Sequence, residues 1–372
     1  MRAGVRILCR IRPDARHAKT VLIRDRIPLV PVWEAACAED TAGGGTGRAP
    51  PLSGQGRATV IISASRRTDI PAFYSEWFMN RVREGFLLVR NPFNAHQVRR
   101  VDLSPDHVDV IVFWTRDPRP MLGYLDGLDA LGYRYYFQFT LTGYPKPLEP
   151  SVPRAAELLS AFKTLGRKIG AERVVWRFDP IILSDLTPEH AVIEGFGRLA
   201  RELRGSTLRV MISFAHLYRS VKRNLAGIRQ AQGITFYDES RSEEQVSRIA
   251  SALADVASAN SIEIKSCAEK LDLSASGVGH GKCIDDRLIK NLFGLTVSDR
   301  KDKYQREHCR CVESQDVGQY GTCTHGCVYC YANPNRERAH SSRALHDPGS
   351  PFLIGEGRDA PSRSSIDPEG LE

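Results

Sequence analysis

The sequence predicts an α/β fold arranged as a full or partial (β/α) barrel. Three observations carry this. Apolar runs of strand length alternate with helix-length segments from residue 59 to residue 266, the order that builds parallel sheets through crossover connections. Each run ends in a polar cluster, which suits a barrel whose site lies at the C-terminal ends of its strands. No G-x-G-x-x-G follows the first run, which counts against a dinucleotide-binding sheet.

The first strand is Thr59 to Ser65, followed by Arg66-Arg-Thr-Asp-Ile-Pro71. Phe73, Trp77, Phe78 and Val82 recur at helical spacing and predict a helix over Ala72 to Arg83, stopped near Gly85. A second apolar run, Phe86 to Arg90, leads into Asn91-Pro-Phe-Asn94. Val108 to Trp114 is the next strand, with a helix following through Gly132, and Tyr133 to Thr140 is the third. Arg154 to Gly170 is amphipathic and helical; Arg173 to Pro180 is the fourth strand. Thr187-Pro-Glu-His190 opens a helix with Thr187 as N-cap and Pro188 at its first position. Leu208 to Phe214 is the fifth strand, Ser242 to Asn260 a helix, and Ser261 to Ser266 the sixth strand.

Four regions follow. Residues 1–57 are expected to be a poorly ordered extension, because Ala42 to Gly56 is a Gly/Pro/Ser-rich linker and the run before it has no sustained period. Residues 58–266 form the barrel-like domain and residues 267–335 a cysteine-rich region that closes it. Residues 336–372 are expected to be mostly disordered, except that Ser350 to Gly355 docks back on the domain.

There is no apolar run of membrane-spanning length, so no membrane association is expected. The arginine-rich N-terminus lacks the apolar core of a secretory signal. Nine cysteines, an odd number clustered late, do not read as a disulfide framework. Metal-binding thiolates in a reducing, cytoplasmic compartment are the expectation. The formal net charge of +8 invites a nucleic-acid partner. However, the first 57 residues alone hold ten Lys and Arg against five Asp and Glu, so the folded part has only a mild excess.

Five cysteines fall within 22 residues: Cys309-Arg-Cys311, then Cys323, Cys327 and Cys330, spaced C-x3-C-x2-C with Tyr329 before the third. Three thiolates on one loop hold three irons of a 4Fe–4S cubane and leave the fourth iron open. Structural zinc is the alternative, but it usually takes four ligands in C-x2-4-C pairs. Cys267, Cys283, Cys309 and Cys311 are a second candidate set. Four thiolates make a closed site for a second 4Fe–4S cluster or for zinc.

The triplet and its aromatic resemble the cluster loop of radical S-adenosylmethionine (SAM) enzymes. Gly326-Cys-Val-Tyr-Cys-Tyr-Ala resembles the loop of the spore photoproduct lyase group. Residues 58–357 as a whole resemble an uncharacterised bacterial domain family with a C-terminal cysteine cluster of radical SAM character. The matching pieces are Ser63 to Pro71, Phe113 to Pro118, Trp176 to Pro180, Cys267-Ala-Glu269 and Lys301 through Asn333.

The resemblance implies an enzyme in which the open iron binds SAM and an electron from the cluster yields a 5′-deoxyadenosyl radical. A flavodoxin or ferredoxin would be the electron donor, and the substrate is unknown. In that superfamily the cluster loop follows the first barrel strand, whereas here it follows the sixth unit, so a circular permutation is implied; a small C-terminal cluster appendage without SAM chemistry is the alternative. A Gly-Gly-Glu-type segment, often used there for the SAM amino group, is lacking. The alternative function is a nucleic-acid-binding or repair protein stabilised by iron–sulfur or zinc.

Converging strand ends would form a polar mouth. They bring Arg66, Arg67 and Asp69; Trp114, Thr115 and Arg116; Gln138 and Thr140; Arg177 and Asp179; Ser213 and His216; and Glu263, Lys265 and Glu269. Carboxylates there would hold ribose hydroxyls and arginines a carboxylate or phosphate. Arg66, Arg67, Asp69, Thr115 and Tyr329 are the candidate cofactor-binding residues. Arg177 and Asp179 are the candidate catalytic pair, being two apart on one strand face. Trp114, Tyr135, Phe137, Trp176 and Phe214 are expected to wall a dry cavity.

Overall fold

The computed structural model describes residues 60–237 and 240–355. The proposed extension at residues 1–57, with Cys9 and Cys37, and the tail beyond 355 lie outside the described residues.

In chain order the elements are β1 (Val60–Ala64), α1 (Ile70–Phe73), α2 (Ser75–Glu84), β2 (Phe86–Asn91), β3 (Asn94–Asp102), β4 (Val108–Thr115), α3 (Leu125–Ala130), β5 (Tyr135–Thr140) and α4 (Ala155–Ile169). There follow β6 (Val174–Ile181), α5 (Glu189–Leu203), β7 (Arg209–Phe214), α6 (Arg219–Gln232), α7 (Glu243–Ala259), β8 (Glu263–Ser266), β9 (Gly279–His280), α8 (Asp286–Phe293), β10 (Gln315–Asp316) and α9 (Arg336–Ala344).

Eight strands form a parallel sheet in the order β10-β1-β4-β5-β6-β7-β8-β9, and β2 and β3 form a separate antiparallel hairpin. Among the described residues the sheet ends on β10 at one side and β9 at the other. It is open, so the full barrel allowed by the sequence is not formed. The six long strands lie side by side in chain order, as short crossovers between sequential elements favour.

Strand residues alternate between two cores, as a period of two requires. Ile62, Phe113, Phe137, Trp176 and Phe214 share one core with Trp77, Phe162, Phe196 and Leu253 from the helices. Ile61, Val110, Val112, Tyr136, Val175 and Met211 face the other, which is covered by Cys267, Cys283, Ile284, Leu288, Ile289, Cys309, Cys311 and Val312. Of the aromatics expected to wall a cavity, Tyr135, Phe137, Trp176 and Phe214 therefore pack against helices instead, and only Trp114 lies on the opposite face.

The strands stand within two residues of their expected limits. Ser242 caps α7, its side chain accepting from the Gln245 amide. At α5 the expectation is corrected: Pro188 occupies the N-cap and the helix starts at Glu189. The Thr187 hydroxyl is taken up by Ser184 at 2.7 Å instead. The region expected to be a disordered tail contains α9, whose Ala339 is fully buried. Ser350 to Gly355 does dock: the Trp77 indole donates to the Ser350 carbonyl at 2.9 Å and the Leu88 amide to that of Pro351 at 2.9 Å.

The element that positions the cysteine loop is β10. It has only two residues and pairs with β1 through Ile62 and Ser63. So short a strand gains little from its ladder, and the Asp316 carboxylate does the fastening. It accepts from Ser63 Oγ (2.9 Å), Ser65 Oγ (2.6 Å), the Arg66 amide (2.8 Å) and the Gly318 amide (3.0 Å). Gly318 lies so close that a Cβ there would stand 2.1 Å from Ser65 Oγ. Asp316→Ala leaves these donors unanswered in a buried place. It is expected to lower the unfolding free energy by about 3 kcal/mol, measured by urea denaturation, with Asp316→Asn losing less.

Candidate functional site

Beyond β10 the chain turns into the loop that carries Cys323, Cys327 and Cys330. Most of its anchors come from segments that follow the C-terminal ends of β1, β4 and β5, with Arg343 of α9 adding a bond to Thr324 Oγ1 at 3.1 Å. The Tyr74 hydroxyl donates to the Thr322 carbonyl at 2.7 Å. Asn333 accepts from the amides of Thr322 (2.8 Å) and Cys323 (2.9 Å) and donates to the Arg67 carbonyl at 3.1 Å. The Val328 amide reaches the Leu148 carbonyl at 3.1 Å, and the Ser151 amide that of His325 at 3.0 Å. The loop therefore sits over the polar end of the sheet.

Two buried ion networks lock it there. Asp69 caps α1 through the Ala72 amide and accepts from the Arg116 amide at 2.7 Å. The same carboxylate holds His325 Nε2 at 2.9 Å. Arg116 donates to Glu149 at 2.8 Å and to the Tyr329 hydroxyl at 2.6 Å, while Tyr329 bonds Glu149 directly and Thr142 adds a bond at 2.6 Å. Burial pushes the Tyr329 phenol and the Cys323 thiol well above their ordinary ranges. Burial also pushes Cys327 up to about 12, although Arg116 beside it pulls the other way. Such a thiol releases its proton only to a strong competitor, and a metal ion is one.

The second set converges as well. Cys267 follows β8, Cys283 follows β9, and Cys309 and Cys311 precede β10; all four are buried and free of disulfides. The Cys283 and Cys267 sulfurs lie 3.1 Å apart. Cys311 Sγ accepts from the amides of Cys283 (3.3 Å) and Ile284 (3.4 Å), and hydrogen bonds from Cys267, Cys283 and Cys309 hold its thiol well below the usual range. Among the described residues, no group of three or more His, Cys, Asp or Glu stands at the spacing of metal ligands. The 3.1 Å contact is closer than the roughly 3.8 Å between corners of a tetrahedral thiolate set with bonds of about 2.3 Å.

The candidate catalytic pair is brought together: Arg177 forms an ion pair with Asp179, which also accepts from Ser213 Oγ. Arg177 Nη1 lies 2.7 Å from Cys283 Sγ, so the pair faces the second thiol set. The candidate cofactor residues are engaged with protein. Arg66 meets Asp302 at 3.5 Å, Arg67 meets Asp316 at 3.8 Å, and Thr115 Oγ1 accepts from the Asp117 amide at 2.9 Å. Asp69 and Tyr329 are the loop locks already described. Glu263 and Lys265 pair with each other at 3.0 Å, and Glu263 also pairs with Arg209 at the opening of β7, so these two lie away from the mouth. Glu269 accepts the Phe214 amide at 2.6 Å, and the Gln138 amide donates to the Cys283 carbonyl at 2.7 Å.

Two buried polar atoms on the inner face, Trp114 Nε1 and Gln138 Oε1, have no hydrogen-bond partner among the described residues. Two guanidinium groups lie over the Trp114 ring, Arg177 at 4.8 Å and Arg66 at 5.5 Å from its centroid. Glu149, Asp302 and Asp316 were not legible as site residues. They lie in loops or on a two-residue strand, and each acts on residues far away in sequence.

The model of a domain of unknown function, DUF1848, matches residues 61–332, from the first strand to just beyond the third cysteine of the loop. No curated protein matches the chain.

Glu149→Ala leaves the Arg116 guanidinium buried without its carboxylate. It is expected to cost about 3–5 kcal/mol in chemical denaturation, with Glu149→Gln retaining part of the hydrogen bonding and losing less.

Proposed function

This chain belongs to the DUF1848 family, and we propose that it is a radical SAM-type iron–sulfur enzyme whose barrel-like sheet is circularly permuted. The observation that carries this is the place of the cysteine loop. It leaves the C-terminal end of β10, which runs parallel to β1 at the sheet edge. Counting β10 as the first strand, β1, β4, β5, β6, β7 and β8 follow it in order across the sheet. That is the arrangement the resemblance calls for, a cluster loop after the first strand, reached from the other end of the chain.

The three thiols suit a cubane with one open iron. They share one loop, and Nε2 of the nearby His325 is taken by Asp69, while its Nδ1 has no hydrogen-bond partner among the described residues. When bound, the cluster and SAM would supply the radical chemistry. The protein's part is to seat the loop, through Asp69 and the Arg116–Glu149–Tyr329 network, and to keep water from it by burial. Trp114 Nε1 and Gln138 Oε1 are free to read a polar group of the ligand or substrate. An external one-electron donor such as a flavodoxin or ferredoxin completes the scheme.

A nucleic-acid-binding role would need strand-end arginines free to meet phosphate. Arg66, Arg67, Arg116 and Arg177 are instead each paired with a carboxylate. Among the described residues no helix is long and apolar enough to cross a membrane.

Anaerobic loading with iron and sulfide, then SAM and a reductant, is expected to release 5′-deoxyadenosine, measured by chromatography. Cys327→Ala is expected to abolish the release. An intact cluster that leaves SAM uncleaved would reject the proposal.

A further inference from the structure

We propose that Cys267, Cys283, Cys309 and Cys311 hold a single tetrahedral zinc ion rather than a second cubane cluster. This site is separate from the Cys323 loop and does not depend on SAM chemistry.

Size decides between the two occupants. The Cys267 and Cys283 sulfurs are 3.1 Å apart, Cys311 Sγ lies 3.3 Å from the Cys283 amide nitrogen, and all four cysteines are buried in one core cluster. A tetrahedral zinc with bonds of about 2.3 Å needs its sulfurs roughly 3.8 Å apart, so the Cys267 and Cys283 sulfurs must part by well under an ångström. A cubane puts four irons and four sulfides among the same sulfurs and would force the surrounding core apart. That core is close-packed: Val110, Val112, Met211, Ile284, Ile289 and Val312 are all fully buried.

Charge points the same way. Zinc with four thiolates carries two net negative charges, which burial penalises unless they are answered. Donors are already in place. Arg177 Nη1 reaches Cys283 Sγ at 2.7 Å, and the amides of Cys283 and Ile284 reach Cys311 Sγ at 3.3 and 3.4 Å. Asp179, which itself accepts from Ser213 Oγ, pairs with the Arg177 guanidinium. Such outer partners orient a thiolate and steady its charge. Arg177 and Asp179 are thus positioning residues of this site.

The fold supplies a need for it. Between β8 and β10 the chain has one α-helix, α8, a single 3-10 turn at Ser274–Ser276 and the two-residue β9. Besides its apolar packing, this stretch is tied across by single backbone bonds, such as the Val312 amide on the Ile284 carbonyl at 3.1 Å. Four ligands, from the start (Cys267), the middle (Cys283) and the end (Cys309 and Cys311) of this stretch, would staple it to the sheet and hold β10 in register. A closed four-thiolate set suits such a structural ion.

The test is elemental analysis of the full chain purified without oxygen. In wild type, zinc near one per chain is expected alongside the iron of the loop. In a Cys323→Ala, Cys327→Ala, Cys330→Ala chain the iron is expected to vanish and the zinc to stay. Cys311→Ser in the otherwise native chain is expected to lose the zinc and keep the iron, which covers failure of the triple variant to fold. Iron and sulfide retained by the triple variant, or zinc absent from the wild-type chain, would overturn the proposal. Such results leave the reading of the Cys323 loop standing, because that reading rests on 5′-deoxyadenosine release.

Discussion

Asp316 belongs to a strand of two residues, which backbone pairing alone would hold weakly. Its carboxylate gathers two serine hydroxyls and the Arg66 amide from the end of β1, and the Gly318 amide from its own turn. The partners on β1 are some 250 positions away in the chain. This junction brings the chain to the sheet edge at the point where the C-terminal cysteine loop begins. With it, the loop emerges beside β1, where Asp69 and Arg116 can reach it. The position of the candidate cluster site, the reading of the fold as permuted and the placing of the second thiol set next to β10 all follow from that contact.

Charge at the sheet's polar end is spent inward. Arg116 serves Glu149 and Tyr329, Arg177 serves Asp179 and Cys283, and Arg66 serves Asp302. Buried guanidinium groups are tolerated only with such partners, and the partners come from loops that would otherwise be free to move. The result is a rigid rim around the cysteine loop. Asp69 and Tyr329, read from sequence as cofactor contacts, are hydrogen-bonded into this rim.

The strands were legible because parallel strands buried on both faces read as continuous apolar runs. The candidate thiol sets were legible because the chemistry of cysteine is specific and the spacing of the triplet is narrow. Arg177 and Asp179 were legible as a pair from the period of two, though not their approach to Cys283. Other features gave no local signal. Most of β3 is exposed, and α6 buries only Val221 and Leu225 over 14 residues, so neither shows a strong apolar face. The strand β10 is too short to carry a pattern, and its pairing with β1 is a long-range fact. Glu149 and Asp302 look like ordinary loop carboxylates until the fold brings arginines to them.

The central claim is that one iron of a cluster on Cys323, Cys327 and Cys330 lacks a protein ligand and is turned toward a small molecule. Mössbauer spectra of the chain loaded with iron-57, recorded before and after adding SAM, address it directly. One iron of four changing its spectrum while three stay alike is the predicted result. Four irons indifferent to SAM would contradict it.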